Sequence, residues 1–459
     1  MRLAPALTIA AAVLAAAAQP VIAAEPPGPG GALLSSHSML HTCCTPAAMK
    51  ERLFAESKAM GAGFIRVDVE LHGIFEAGGH SAEDPHWDKL DEVIELSRRH
   101  ELPVLGILMS PPTWLSSCPG AGAAAVRCAP ADMQEFGRLA GEVAAHARGT
   151  ISHWEIVNEP DGAWAFEGSP EDYARMLRAA HDGIEARAPE AEVAMGGVMT
   201  PQDPAWIERV LATPEADAAG AFDIANLHLR GHAGGLAGQL AAWRELLGRH
   251  GFGGPVWVTE HGYPADPAYQ SDPDFRGGEP AQAAYLTESL LLLAEAGAGE
   301  VFVTLRDNLD GPFASEGVVA VEGGPHYLAR RKPAFAALRR LVDGWAELTA
   351  ARAEQRRHEE AVRRNRELAA AAGLEVQMRR DLVRRGRVGL AALRGRYRRA
   401  RHPRARARLA RHVDSARLRL RHRISDAGWS RALAGHYRLR AALHEHRAAQ
   451  LAAFVAGRS

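Results

Sequence analysis

Residues 151–198 read ISHWEIVNEPDGAWAFEGSPEDYARMLRAAHDGIEARAPEAEVAMGGV, and this stretch decides the fold. A short apolar run, Ile151–Asn158, predicts a buried strand. The amphipathic stretch Pro170–Ala188 predicts a helix, and a second short run, Glu192–Val198, predicts another strand. Gly149 and Pro189 punctuate the junctions. Strand, covering helix and strand in that order describe a parallel pair with its crossover.

The same unit repeats outward in both directions. Further strands are expected at Ala32–His37, Gly63–Val69, Pro103–Met109, Asp223–Arg230, Pro255–Glu260 and Glu300–Arg306. Helices are expected at Pro46–Met60, Trp87–His100, Asp132–Ala147, Leu236–Arg249 and Pro280–Ala296. The first and fifth strands carry the weakest patterns. Eight strands in about 310 residues fit one closed (β/α)8 barrel, residues 32–345, better than an open doubly wound sheet. No G-x-G-x-x-G turn follows the first strand, which counts against a dinucleotide site.

The chain has 459 residues, 47% hydrophobic and 24% charged, which excludes a disordered or collagen-like protein. Its net charge of −1 averages two opposite parts. Residues 351–459 hold 29 Arg and no Lys against 9 acids, a net +20. The preceding 350 residues hold 25 basic and 46 acidic groups, a net −21. An acidic module followed by a basic one is expected.

Met1 and Arg2 precede an Ala-rich apolar run and small residues at Ala23 and Ala24, the pattern of a signal peptide over residues 1–24. An uncleaved anchor is the alternative. A Pro/Gly leader, residues 25–31, follows. Export to the cell surface, periplasm or medium is therefore expected, with no transmembrane segment after cleavage. Four cysteines suit an oxidising compartment. Cys118 and Cys128 bracket a Gly/Ala-rich loop that a disulfide would close. Cys43 and Cys44 pair elsewhere or stay free, and a metal cluster with His37 and His41 lacks the second ligand pair such a site needs.

A barrel of this kind carries its chemistry at the C-terminal ends of its strands. The polar residues there include His37, Arg66, Asn158 with Glu159, His228 with Arg230, Glu260 with Tyr263, and Arg306 with Asp307. Glu159 and Glu260 end the fourth and seventh strands, on opposite sides of the ring. Two carboxyl groups facing each other across an anomeric carbon are what glycosidic cleavage needs.

At these residues the sequence resembles the clan A retaining glycoside hydrolases. Trp154-Glu155-Ile156-Val157-Asn158-Glu159-Pro160-Asp161 is similar to their acid/base segment, and Trp257-Val258-Thr259-Glu260-His261-Gly262-Tyr263-Pro264 to their nucleophile segment. Gly63–Asp68, Ser110–Trp114 and Asn226–His228 support the match, whose flavour is nearest to family 39 and the cellulase-like family 5. The resemblance implies that Glu260 is the nucleophile, kept ionised by a bidentate Arg66, and that Glu159 is the acid/base. It implies Asn158 as a partner of the sugar 2-hydroxyl and His228 and Tyr263 as orienting residues, and His37 is a candidate substrate-binding residue. Trp114 and Trp164 are candidate stacking platforms. Where the family often has an aromatic at the end of strand eight, this chain has Arg306 and Asp307, which either meet the sugar, anionic or not, or form a structural ion pair. The substrate is expected to be a poly- or oligosaccharide. The implied chemistry needs no metal or organic cofactor. A transglycosylase and a carbohydrate-binding pseudoenzyme remain open alternatives.

Residues 346–459 are dominated by Ala, Leu, Arg and Glu, all helix formers. Leu409, Val413, Ala416, Leu420 and Ile424, and Leu390, Leu393 and Tyr397, recur at helical spacing. Breaks near Gly373, Pro403 and Gly428 predict three or four helices, and heptad regularity is too poor to predict a coiled coil. The Arg-rich surface suits an anionic cell-surface polymer or a contact with the acidic barrel. With few aromatics interleaved, nucleic acid is not favoured.

Overall fold

The computed structural model describes residues 33–199, 204–266, 276–308, 313–323 and 327–456. The expected signal peptide and leader lie outside the described residues. The chain divides into two compact units, one ending at Asp343 and one beginning at Gly344.

The first unit is a TIM barrel. Its parallel strands are β1 (Leu34–His41), β2 (Ile65–Glu70), β3 (Val104–Met109), β4 (His153–Ile156), β5 (Glu192–Met195), β6 (Ala225–His228), β7 (Val256–His261) and β8 (Val301–Thr304). They pair in the order β5-β4-β3-β2-β1-β8-β7-β6. Bridges Ala194–Ile224 and Val198–Leu227 join the two ends of that order and complete the ring. The covering helices are α1 (Ala47–Met60), α2 (Asp88–His100), α3 (Met133–His146), α4 (Pro170–Arg187), α5 (Ala205–Leu211), α6 (Ala233–Arg249) and α7 (Gly278–Glu295). The short α5 and a hairpin of β9 (Val319–Val321) with β10 (Leu328–Arg331) go beyond the expected elements.

Local chemistry explains the helix starts. Ser169 and Asp172 form a capping box at the head of α4, and the Asp132 side chain accepts from the first amides of α3. These two helices pack so closely that a Cβ on Gly183 would strike the backbone of Gly137. A larger residue there would force them apart.

Period-2 alternation then sets two layers inside the barrel. The lower layer is apolar: Leu105, Ala194, Ile224, Trp257 and Phe302 form one buried cluster with Phe64 against it. His153 stacks on Trp257, with ring centroids 5.3 Å apart. Two residues further along the same strands stand Arg66, Glu155, Asn226, Thr259 and Thr304, all buried. A mostly apolar floor thus lies beneath a layer rich in buried polar groups.

The second unit differs from expectation. It holds most of one long helix, α8 (Pro333–Arg399), from Gly344 onward, and all of a second, α9 (Pro403–Ala456), and its chain breaks around residues 400–402. Gly373 and Gly428 lie inside helices. A helical Gly costs only about 1 kcal/mol relative to Ala, too little to end a helix held by a partner. Pro403 cannot continue a helix from the preceding turn, and there the chain does break. Heptads are present after all. The shielded positions of α8 include Leu348, Ala351, Val362, Asn365, Ala372, Val376 and Leu390, and those of α9 include Val413, Ala427, Ser430, Ala434, Ala441, Ala448, Leu451 and Val455. Cross-pairs Arg366–Glu445, Arg379–Asp426 and Arg447–Glu354 set the two helices antiparallel. No described helix in the chain is long and apolar enough to cross a membrane.

Candidate active site

The backbone is bent where the polar layer opens. Val157 has φ 63° and Glu159 φ 45°, and Met39 and Ser110, at the ends of β1 and β3, have φ 50° and 53°. Left-handed backbone at a β-branched valine costs on the order of 1–3 kcal/mol and persists only when its surroundings hold it. Its effect here is to turn Asn158 and Glu159 toward the barrel axis together. In β7 a register shift does the same work. Leu227 pairs with Val258, but the next residue, His228, pairs with Glu260. This bulge lets the adjacent Thr259 and Glu260 both join the site.

Arg66 is the hub of the site and is 1% exposed. Its Nε and one terminal nitrogen donate to the two oxygens of Glu155 at 2.8 and 2.7 Å. The same terminal nitrogen donates to Asn158 Oδ1 at 2.7 Å. The other donates to Glu260 Oε1 at 3.0 Å and to His37 Nδ1 at 3.1 Å. All five N–H groups are thereby used. The bidentate contact expected with Glu260 is therefore made with Glu155 instead, and Glu260 receives a single arm. Glu155 also accepts from the Gly197 amide at 3.0 Å, so it is a buried counter-ion that aims the guanidinium.

Glu260 has a second cation. Arg230 donates to its Oε2 at 3.1 Å and grips Glu316 with two bonds of 2.6 and 3.0 Å. Burial pushes the Glu260 carboxyl up. The groups around it, the His228 and His37 rings and the Arg66 and Arg230 guanidinium groups, outweigh it and hold Glu260 well below the usual carboxylate range. Burial drives His37 down to about 4, so this ring is neutral. With its Nδ1 accepting from Arg66, its Nε2–H faces Glu260 Oε1 at 3.6 Å.

The proton map around His228 follows from donor arithmetic. The Thr259 amide approaches the Asn226 side chain at 3.3 Å, which requires an oxygen there. The Thr259 hydroxyl then donates to that same Oδ1 at 2.9 Å. Its oxygen, 3.2 Å from His228 Nε2, can only accept, so Nε2 carries a hydrogen. In the neutral imidazole this leaves Nδ1 as an acceptor, 2.6 Å from Glu159 Oε1. The arrangement suits a protonated Glu159. Room for it is tight: a Cβ on Gly197 would collide with the His228 ring.

An oxygen of Glu159, an oxygen of Glu260 and a ring nitrogen of His228 all lie within 4.8 Å of one another. Both carboxylates are 8% exposed. The same three groups have the spacing of a metal-ligand set. Two guanidinium groups already sit on Glu260, and they oppose a further cation there.

The other expected residues fall differently. The Tyr263 hydroxyl donates to the Arg276 carbonyl at 2.6 Å. Trp114 and Trp164, on the loops after β3 and β4, are 48% and 56% exposed. Arg306 and Asp307 do not pair through their side chains. The Asp307 carboxylate bonds Lys332 at 2.6 Å, and Arg306 donates to the Met39 carbonyl at 3.1 Å. Cys118 pairs with Cys128, and Cys43 with its neighbour Cys44. The latter leaves no thiolates for a metal cluster with His37 and His41. His41 instead sits between Asp68 and Glu70, whose hydrogen bonds raise it to about 10.

Sequence reading did not assign roles to Glu316, Arg230 or Thr259. Glu316 lies in the loop beyond β8 and belongs to no motif. Arg230 continues the inward alternation of His228, a signal that was available.

No protein-family model matches the chain, and no curated protein matches it. Solved structures do. A conserved exported protein from Bacteroides fragilis aligns at 14% identity and TM-score 0.50, over 67% of this chain and 77% of that one. A glucosidase from Croceicoccus marinus aligns at 13% identity and TM-score 0.49, over 68% of each chain. A family 30 xylanase from Clostridium acetobutylicum aligns at 13% identity and TM-score 0.45, over 68% of this chain and 70% of that one. With the exported protein, the likeness is one of fold.

Proposed function

We propose that the protein is an exported retaining glycoside hydrolase acting on a poly- or oligosaccharide. The observation that carries this reading is the approach of Glu159 and Glu260 to within 4.8 Å. Carboxyl groups about 5 Å apart suit direct attack, whereas an inverting enzyme needs roughly 6.5–9.5 Å to seat a water between them. A leader with the features of a signal peptide and the two cystine pairs support export.

In the first step Glu260 attacks the anomeric carbon, while Glu159 gives its proton to the departing oxygen. In the second, Glu159 takes a proton from the incoming water, which breaks the glycosyl ester. The buried charges favour this sequence. Arg66 and Arg230 face Glu155, Glu260 and Glu316, so the resting site carries one excess negative charge while Glu159 is protonated. Ester formation at Glu260 removes that charge, and ionised Glu159 then restores the original balance. The proton donor becomes a base without a new cation.

Glu260→Gln and Glu159→Gln should each lower turnover of an aryl glycoside on the order of a thousandfold. Azide should rescue Glu260→Ala and give a glycosyl azide of inverted configuration. Normal hydrolysis by both Gln variants would refute the assignment.

A further inference from the structure

Between Arg384 and Arg423 the chain carries sixteen arginines, no lysine and one acid, Asp414. This segment is the closed end of the α8–α9 hairpin. The two open-end stretches, residues 344–381 and 426–456, hold nine acids, and the cross-helix pairs of the hairpin lie there. At the closed end Arg417 pairs with Asp414 at 3.6 Å and Arg384 with Asp381 at 3.1 Å. Too few acids remain in the unit to neutralise the others. The surplus is thus segregated at one end of a rigid element, where self-repulsion favours a multivalent counter-charge.

We propose that this closed end is a docking surface for an acidic polysaccharide, a chain bearing carboxylates along its length. A groove of 370 Å³ lies on it, lined by Arg385, Arg396, Arg419 and Arg423 together with small and apolar residues such as Gly389 and Leu390. Guanidinium groups bind carboxylates through paired, planar hydrogen bonds. A flat bilayer fits less well. The seam takes Leu390, Leu393, Val413 and Leu420, the arginines occupy the remaining sides, and the exposed Val388 and Leu418 stand singly among them. Nucleic acid fits less well too. Tyr397 is the one Phe, Tyr or Trp in the segment, and Arg406 already covers its ring at 5.2 Å. The choice of a glycan over other polyanions rests on the glycosidase reading; the charge argument does not.

The test measures binding of the full chain to alginate, dextran, a single-stranded oligonucleotide and phosphatidylglycerol vesicles. Alginate should bind and dextran should not, with alginate affinity falling at least about tenfold between 50 and 200 mM salt. Combined Arg385→Gln, Arg396→Gln and Arg419→Gln should weaken alginate binding at least about tenfold with the thermal melt unchanged, and the matching Lys variants should weaken it less. Arg366→Gln, on a second groove that also contains Glu445, should leave binding as it was. Absent alginate binding, equal binding of dextran, tighter binding of the oligonucleotide or vesicles, or an unaffected triple Gln variant would each overturn the proposal. Aryl glycoside turnover is measured in parallel, and its absence alongside alginate binding would count against the barrel assignment alone.

Discussion

His228 Nδ1 lies 2.6 Å from Glu159 Oε1, and Thr259, on the other side of the ring, determines which partner supplies the proton. The threonine hydroxyl is spent on Asn226, so its oxygen forces Nε2 to be the N–H of the neutral ring. The Nδ1 lone pair is then placed to accept a hydrogen bond from the Glu159 carboxyl.

Thr259→Val removes that constraint while nearly preserving shape. The ring can then carry its hydrogen on Nδ1 and donate to ionised Glu159. The alkaline limb of the kcat/KM profile should move to lower pH, with kcat down roughly tenfold at neutral pH. A shift in melting temperature with the limb unmoved would reduce Thr259 to a packing role. Thr259→Ser should restore the limb.

Arg230→Met tests the other carboxylate. It removes one of the two guanidinium groups on Glu260, so the nucleophile loses part of what holds its charged form. The acidic limb of kcat/KM should therefore rise in pH, while substrate retention by the rest of the site changes less. Glu316→Gln leaves Arg230 in place with one ionic partner fewer, and should move the limb the opposite way or not at all.

Much of this geometry is legible in the sequence because it follows from alternation. Once Glu159 and Glu260 are placed at strand ends, the strand period sets Arg66 and His228 facing them. The bulge in β7 is not legible, since nothing in Val258-Thr259-Glu260 distinguishes a regular strand from one that turns two neighbours inward. Glu316 is invisible for a different reason: it reaches the site from a loop, where no period applies. In the second unit the seam escapes notice because much of it is alanine, as at Ala427, Ala434, Ala441 and Ala448. The larger apolar side chains that draw the eye, Ile424 and Leu439 among them, are 44% and 62% exposed. Small seam residues let two helices approach closely but carry little hydrophobic signal.

Glu300 gives a stability prediction independent of catalysis. Burial pushes its carboxyl up to about 8, against a bond from Ser35 of 2.7 Å that works the other way. The folded state therefore keeps a proton that the unfolded chain releases near pH 4.5. Between about pH 4.5 and 8 this group makes stability fall as pH rises, and above that window the loss levels off. Glu300→Gln should flatten this part of the denaturant-midpoint profile, so that its stability relative to wild type is higher at pH 8 than at pH 5. An unchanged slope would show that Glu300 is ionised in the folded protein.

The most direct measurement is proton NMR of the first-formed sugar when the protein hydrolyses an aryl glycoside, recorded before mutarotation. The separation of Glu159 and Glu260 predicts a product with the anomeric configuration of the substrate. A first product of inverted configuration would mean that water, not Glu260, attacks the sugar, and would contradict the account.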